Sequence, residues 1–137
     1  MQGTENVLAA AMEADVAQVV HVSSSSVYGI PTELPITESS PTPALGPYAE
    51  SKLRAEDCLR ELGTSGLRAV IFRFGTIFGI SPGMRFHTAI NKFCWQAVMG
   101  QPLTIWKTAF DQKRPYLGVK DAIRSIKFII NEKKYSA

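Results

Sequence analysis

The chain has 137 residues, of which 45% are hydrophobic and 20% charged, and this is enough apolar material for one compact domain with a real core. Its formal net charge is +3, but the Lys and Arg residues are scattered and form no stripe, so we do not expect it to bind nucleic acid. We find no signal peptide, lipidation motif or run of about 18 apolar residues. The expected setting is therefore cytoplasmic, without membrane contact.

The first predicted elements are a helix and a short strand. Residues 4–14 are rich in Ala, which favours helix, and Thr4 is a suitable N-cap residue. The β-branched run from Gln18 to Val22 predicts a strand. Four consecutive serines follow this strand, and a proline-rich loop over 31–47 leads to the next helix. A loop of that length is usually either functional or disordered.

The next segment carries Tyr48 and Lys52, whose spacing depends on local structure for its meaning. Pro47 at the first helical position, a set of apolar residues with helical spacing, and Gly63 at the end predict a helix over 48–63. Four residues apart on a helix, the phenol and the ammonium are neighbours, and the cation favours the phenolate. Such a pair can act as a base. Tyr116 has the same spacing to Lys120, but its surroundings predict a strand, on which the two side chains are far apart.

The second half alternates strands with helices. The run from Leu67 to Phe74 is almost continuously apolar, which is typical of a parallel strand buried on both faces. After a turn-rich loop over 75–83, apolar residues at 86, 90, 93 and 97 predict an amphipathic helix. Short strands are predicted over 102–106 and 115–119, followed by a helix that Asp121 caps and whose inward residues are Ala122, Ile126, Ile129 and Ile130. This order predicts an α/β fold with a parallel sheet, which binds ligands beyond the carboxyl ends of its strands.

Several other side chains are expected to be structural. We expect the Glu50–Arg54 and Glu56–Arg60 pairs to lie on an exposed helix face, because Glu and Arg four residues apart support such faces. The two cysteines and two histidines have no metal-ligand spacing, so no metal site is predicted. The thiols of Cys58 and Cys94 are expected to be buried, as are the aromatic side chains of Tyr28, Phe86 and Phe93. The two histidines, His21 and His87, are expected to be structural.

Three segments together resemble the extended short-chain dehydrogenase/reductase family, specifically its NAD-dependent sugar epimerases and dehydratases. They are Val22-Ser-Ser-Ser-Ser-Val-Tyr-Gly29, Pro47-Tyr-Ala-Glu-Ser-Lys52 and Arg73-Phe-Gly-Thr-Ile-Phe-Gly79. The resemblance also takes in 3–10 and 114–121, and so covers nearly the whole chain. It implies a partial Rossmann-like parallel sheet with helices, plus part of a substrate-side region. Residues 1–80 would form the C-terminal half of a cofactor domain, and 81–137 a partial substrate-binding region with a returning strand and helix.

The resemblance also implies roles for individual residues. Ser24, Tyr48 and Lys52 match the catalytic positions, with Tyr48 as acid/base and Lys52 holding the nicotinamide ribose. The implied cofactor is NAD, with NADP left open, and the implied substrate is a sugar or nucleotide-sugar, whose diphosphate an arginine can bind through bidentate hydrogen bonds. The implied cofactor-binding residues are Ser23, Tyr48, Lys52, Phe74, Gly75, Thr76 and Ile77, and the implied substrate-binding residues are Ser24, Ser25, Ser26 and Arg114.

The chain also departs from the family pattern. The glycine-rich dinucleotide-binding turn is absent, so we expect a fragment that alone binds NAD poorly and is inactive. Thr76, Pro115 and Gly118 replace residues common in nucleotide-sugar enzymes, which leaves open the sugar and the choice among epimerisation, dehydration and reduction. The alternative is an inactive remnant or interaction module that keeps the fold without the cofactor. By analogy with relatives, a homodimer through Leu53, Cys58 and Leu62 is possible.

Overall fold

A computed structural model describes residues 2–31, 34–63 and 66–132. The helices and strands are α1 (Gln2–Glu13), β1 (Gln18–Ser24), α2 (Pro47–Gly63), β2 (Arg68–Phe74), β3 (Thr76–Phe78), α3 (Ala89–Val98), β4 (Tyr116–Gly118) and α4 (Val119–Asn131). Short 3₁₀ turns lie at Ser25–Tyr28 and Lys107–Ala109. Within the described ranges, no helix is long and apolar enough to cross a membrane. The mixed α/β order with parallel strand pairs confirms the predicted fold class.

The chain divides into two compact units, one comprising 1–74 with 128–137 and the other 75–127. In the first unit, β1 and β2 pair in parallel with Gln18 opposite Arg68 and Ser24 opposite Phe74. Helices α1 and α2 contribute Leu8 and Leu59 to a core cluster that also contains Leu67 and Ala69. Helix α2 forms as predicted, beginning at Pro47 directly after Gly46, whose positive φ of 87° suits glycine.

Three expectations for the first unit are wrong. Helix α1 begins at Gln2, so Thr4 lies inside the helix and is not its N-cap. Strand β1 runs two residues further than predicted and includes Ser23 and Ser24. Strand β2 is largely half-buried, because the described sheet has only two strands and both are edge strands. The described part of the predicted 31–47 loop, residues 31 and 34–46, contains neither helix nor strand, while 32–33 lie outside the described residues.

In the second unit, β3 and β4 pair in parallel with Thr76 opposite Tyr116 and Phe78 opposite Gly118. The backbone of Gly75, which directly precedes β3, lies very close to the backbone of Pro115, since a Cβ atom on Gly75 would lie 2.7 Å from the Pro115 carbonyl oxygen. That oxygen accepts a hydrogen bond of 3.0 Å from the Thr76 N–H. Strand β3 was predicted as loop, and β4 confirms a strand around Tyr116.

Other expectations for the second half are wrong. Residues 102–106 form no strand, and instead Thr104 is bonded through its N–H and hydroxyl to Gln96 of α3. Helix α3 begins at Ala89, so Phe86 and His87 precede it, and Phe86 is 51% exposed. Asp121 lies in the first turn of α4 and is not its N-cap. The positions that we expected to be buried but that prove exposed are Phe86, Cys94 and Ile130, whereas Ala122 and Ile129 are buried as predicted.

Candidate active site

The serine run lies where the parallel strands end. Ser24 is the last residue of β1 and is paired with Phe74, the last residue of β2, so both stand at the carboxyl edge of the sheet. Ligands of α/β sheets bind beyond this edge. Phe74 stacks on Phe72 with ring centroids 4.9 Å apart. The site therefore has a polar position on one strand end and an aromatic one on the next.

Ser24 caps the 3₁₀ turn that follows β1. Its backbone is extended, with φ −146° and ψ 142°, and its Oγ accepts hydrogen bonds from the Ser26 N–H at 3.2 Å and the Ser26 hydroxyl at 2.9 Å. A serine hydroxyl has one proton to donate and two lone pairs to accept with. Because Ser26 occupies the acceptor positions, the Ser24 proton remains available for another oxygen. Gly29 ends the turn with a φ of 59°, and its N–H donates to the Ser26 carbonyl.

Helix α2 brings Tyr48 and Lys52 to this edge. The two residues are four apart within the helix, and the Lys52 Nζ donates a hydrogen bond of 3.0 Å to the carbonyl oxygen of Val22 on β1. Val22 precedes Ser24 by two residues on the same strand, so this bond ties the helix to the strand that carries the serine. The Tyr48 side chain is 61% exposed and thus open to solvent. An ammonium has three donors, which leaves two at Lys52 for a ligand.

A buried ion pair between helix α2 and strand β2 is not predicted by the sequence. Glu56 is fully buried, although we expected it on an exposed face with Arg60. Its two carboxylate oxygens share the single N–H of the Arg73 Nε, at 3.1 Å each, and Oε2 also accepts from the Arg73 Nη2 at 2.7 Å. The Ser23 hydroxyl donates at 2.5 Å and the Arg60 Nη2 at 2.8 Å. We call Glu56, Arg73, Ser23, Arg60 and Tyr28 the Glu56 cluster.

The protonation states in this cluster follow from its contacts. Burial opposes ionisation of Glu56, but the hydrogen bonds from Arg73 and Ser23 and the nearby guanidinium charges outweigh burial, so the pKa of Glu56 is lowered. The hydrogen bonds to Glu56 raise the pKa of Arg73 despite partial burial. Burial, and then the charge of Lys52, lower the pKa of His21, whose Nε2 is buried without a partner among the described residues. Near pH 7, Glu56 and Arg73 are therefore both charged, and His21 is neutral.

The remaining residues from the sequence prediction belong to the second unit. Thr76 is exposed at the start of β3, where its N–H is bonded to Pro115, and Ile77 is 40% exposed. Arg114 is exposed and donates to the Gln112 side chain through its Nε at 3.1 Å and its Nη2 at 2.7 Å. The first unit thus holds Ser23 to Ser26, Tyr48, Lys52 and Phe74, and the second holds Gly75, Thr76, Ile77 and Arg114. The described residues contain no group of His, Cys, Asp and Glu side chains that could hold a metal ion.

Comparison with known proteins gives a consistent result. The family model described as the NAD dependent epimerase/dehydratase family matches residues 1–136. A UDP-glucose 4-epimerase of Azospirillum brasilense is 37% identical over an alignment of 128 positions, and the match covers 83% of this chain and 37% of that protein. This chain therefore spans little more than a third of the length of that curated relative.

Solved structures agree with the family match. A dTDP-glucose 4,6-dehydratase from Streptomyces venezuelae, solved with NAD and TYD bound, superposes with a TM-score of 0.82 at 31% identity and covers 96% of this chain and 40% of that one. A UDP-glucuronic acid 4-epimerase from Bacillus cereus, in complex with UDP-glucuronic acid and NAD, gives 0.80 at 28% identity, with 97% and 41% covered. With the serine turn, the Tyr48–Lys52 helix and a family model matched over nearly all residues, the chain belongs to the NAD-dependent epimerase/dehydratase family.

Proposed function

We propose that this chain contributes the catalytic groups of an NAD-dependent epimerase/dehydratase-type oxidoreductase that acts on a nucleotide-sugar. The observation that carries the proposal is the bond from the Lys52 ammonium to the Val22 carbonyl, which fastens the helix bearing Tyr48 to the strand that ends in Ser24. The relatives named above are epimerases and dehydratases of UDP- and dTDP-sugars. Their names support the substrate class, and the individual sugar stays open.

The residues present are compatible with a bound nicotinamide cofactor. Lys52 has two unused ammonium donors that could hold ribose hydroxyls, and Tyr48 is exposed beside it on the same helix. We assign Phe74, Gly75, Thr76 and Ile77 to the surroundings of the cofactor. The Ser23 hydroxyl donates its proton to Glu56, so a contact of Ser23 with the cofactor would come from its backbone or from a lone pair of its hydroxyl oxygen. When bound, NAD would accept a hydride from the sugar carbon.

The chain's own groups would handle the proton. As the base, Tyr48 would take the proton of the sugar hydroxyl on the carbon that gives up the hydride. Ser24 would donate its free hydroxyl proton in a hydrogen bond to that sugar oxygen, and Lys52, four residues after Tyr48 on the same helix, would hold the ribose of the cofactor. We assign Ser25 and Ser26 to the substrate side of the turn. Arg114 is assigned to the diphosphate, because its guanidinium can make two parallel bonds to phosphate oxygens.

Tyr48→Phe tests this assignment. The variant removes the proton acceptor but keeps the ring, so any turnover of UDP-glucose that the natural chain shows when supplied with NAD should be lost, while the urea unfolding midpoint is unchanged. Tyr116→Phe is the matched control, because Tyr116 also precedes a lysine by four residues but lies on β4. Full activity of Tyr48→Phe would contradict the role of the phenol.

Calorimetric titration with NAD and NADH tests the cofactor separately. Because the glycine-rich turn is absent from this chain, we expect weak binding, with an affinity that is reduced further in Lys52→Met and unchanged in Lys120→Met. Absence of binding to either nucleotide by the natural chain would instead favour the alternative that the chain keeps the fold as an inactive module. The two experiments distinguish a wrong catalytic residue from a chain that does not bind the cofactor.

A further inference from the structure

The Glu56 cluster lies directly beside the elements that carry the proposed catalytic groups. Glu56 is four residues after Lys52 and eight after Tyr48, so it extends the same helix face by one more turn. Its carboxylate has no solvent exposure and its main partner, Arg73, is only 14% exposed. Burying two charges is costly even when they are paired. A position that merely fills space against the sheet could be apolar, so the location of this pair calls for another explanation.

The cluster holds the catalytic turn at both of its ends. Ser23, the residue before Ser24, donates its hydroxyl to Glu56. Tyr28, the last residue of the 3₁₀ turn, accepts a hydrogen bond of 2.9 Å from the Arg73 Nη1. The turn is therefore fixed at its start by the carboxylate and at its end by the guanidinium.

Arg73 suits this arrangement because of its geometry. One edge of its guanidinium faces Glu56 while Nη1 reaches the Tyr28 hydroxyl and the Glu38 carbonyl, the latter at 3.2 Å. The guanidinium carbon also lies 4.9 Å from the centre of the Tyr28 ring. A lysine has a single point charge and lacks the planar fork that serves several acceptors at once.

We propose that Glu56 and Arg73 are positioning residues, which fix the serine turn relative to the helix that carries Tyr48 and Lys52. This inference rests on the proposed function, since it takes Ser24, Tyr48 and Lys52 as the groups to be positioned. The ion pair connects α2 to the end of β2. The Ser23 hydroxyl connects Glu56 to the end of β1, and the Tyr28 hydroxyl connects Arg73 to the last residue of the turn that follows β1. Three elements of the site thus meet at one carboxylate.

The test must separate positioning from stabilisation. A double variant, Glu56→Leu with Arg73→Met, removes both charges and keeps apolar volume, and such replacements often preserve or increase stability. It leaves the Ser23 and Tyr28 hydroxyls without their partners. We therefore expect its urea midpoint to exceed that of Glu56→Leu alone, while the turn stays loosened.

Amide hydrogen exchange followed by NMR reports the turn directly. The reporters are the Ser26 N–H, which donates to the Ser24 Oγ, and the Gly29 N–H, which donates to the Ser26 carbonyl. In the double variant we expect both to exchange about tenfold or more faster than in the natural chain, the factor that follows from losing a hydrogen bond to a charged group. The control is Leu8→Ala, which destabilises the core cluster without touching the turn.

The comparison is made at equal global stability, set by adding urea to the more stable protein. Turn amides that exchange faster in the double variant than in Leu8→Ala support positioning by the pair. Equal exchange in the two variants would overturn the proposal and leave a role in stability alone. Because neither substrate nor cofactor is used, this outcome is independent of the NAD titration and the Tyr48→Phe assay.

Discussion

Replacing Glu56 by Gln is the change whose effect on stability the structure specifies best. The amide keeps the shape of the side chain and one carbonyl acceptor, but it directs an N–H₂ donor towards the guanidinium donors. Removing one partner of a buried ion pair costs about 3–5 kcal/mol. The contact to Arg60 adds less than about 1 kcal/mol, since Arg60 is half exposed. Because Gln can still accept from Ser23, we expect the low end of the range, about 3 kcal/mol.

Urea denaturation at pH 7 measures this loss. With a denaturant slope of about 1.5–2 kcal/mol per molar, the midpoint should fall by about 1.5–2 M. The corresponding loss of about 3 kcal/mol is a large part of the roughly 5–15 kcal/mol free energy of unfolding typical of a domain. Glu50→Gln is the matched control, since it makes the same change on an exposed position of the same helix and should stay within about 0.5 kcal/mol. Equal midpoints for the two variants would refute the conclusion that Glu56 is a buried charged partner.

The pH dependence gives the same prediction a second measurement. The pKa of Glu56 is lowered in the folded chain from its reference value of 4.5, so the unfolded chain binds the proton first on acidification. The stabilisation is fully present above about pH 4.5 and is lost as the pH falls through the folded pKa. The difference in stability between the natural chain and Glu56→Gln should therefore shrink below pH 4.5. A difference that is constant down to pH 3 would contradict the assignment of the charge to Glu56.

Two further substitutions test other features of the structure. The pKa of His21 is lowered from 6.5 by burial and by Lys52, so the natural chain should lose stability as the pH falls below 6.5, and His21→Leu should flatten that slope in urea titrations at successive pH values. An unchanged slope would show that His21 is not buried neutral. Gly75→Ala places a Cβ atom 2.7 Å from the Pro115 carbonyl oxygen and should cost about 1–3 kcal/mol in urea denaturation. Gly83→Ala, with nothing within 4 Å, is its control and should lack this cost.

The elements that could be predicted from the sequence are those whose signals are local. Helix α2 has a proline at its start and apolar residues at helical spacing, and β2 is an almost continuous apolar run. Both elements therefore lie close to where the sequence predicts them. The residues 102–106 look equally suited to a strand. A strand also needs a neighbour, and here Thr104 bonds instead to Gln96. No pattern within a single segment reveals which partner its backbone will find.

Burial was harder to predict than secondary structure, and Glu56 shows why. Its spacing to Arg60 indicates an exposed pair, yet Glu56 is also three residues before the buried Leu59 and seven after the buried Ala49, which places it on the inward face. Arg73, its main partner, is 17 residues away and its approach depends on the parallel pairing of β1 with β2. Amphipathic spacing likewise identifies the apolar side of α4, but it does not reveal that Ile130 on that side is 58% exposed.

One face of helix α2 passes from solvent to the interior within two turns. Tyr48 is largely exposed, Lys52 is half-buried with its ammonium on a strand carbonyl, and Glu56 is completely buried. Each group is four residues from the next, so a shift of the helix moves all three together. The buried carboxylate resists such a shift most strongly, because displacing it would separate it from Arg73 at a cost that exposed groups do not carry. Under the proposed function, the buried ion pair at Glu56 therefore holds the exposed Tyr48 phenol at a fixed position relative to Ser24.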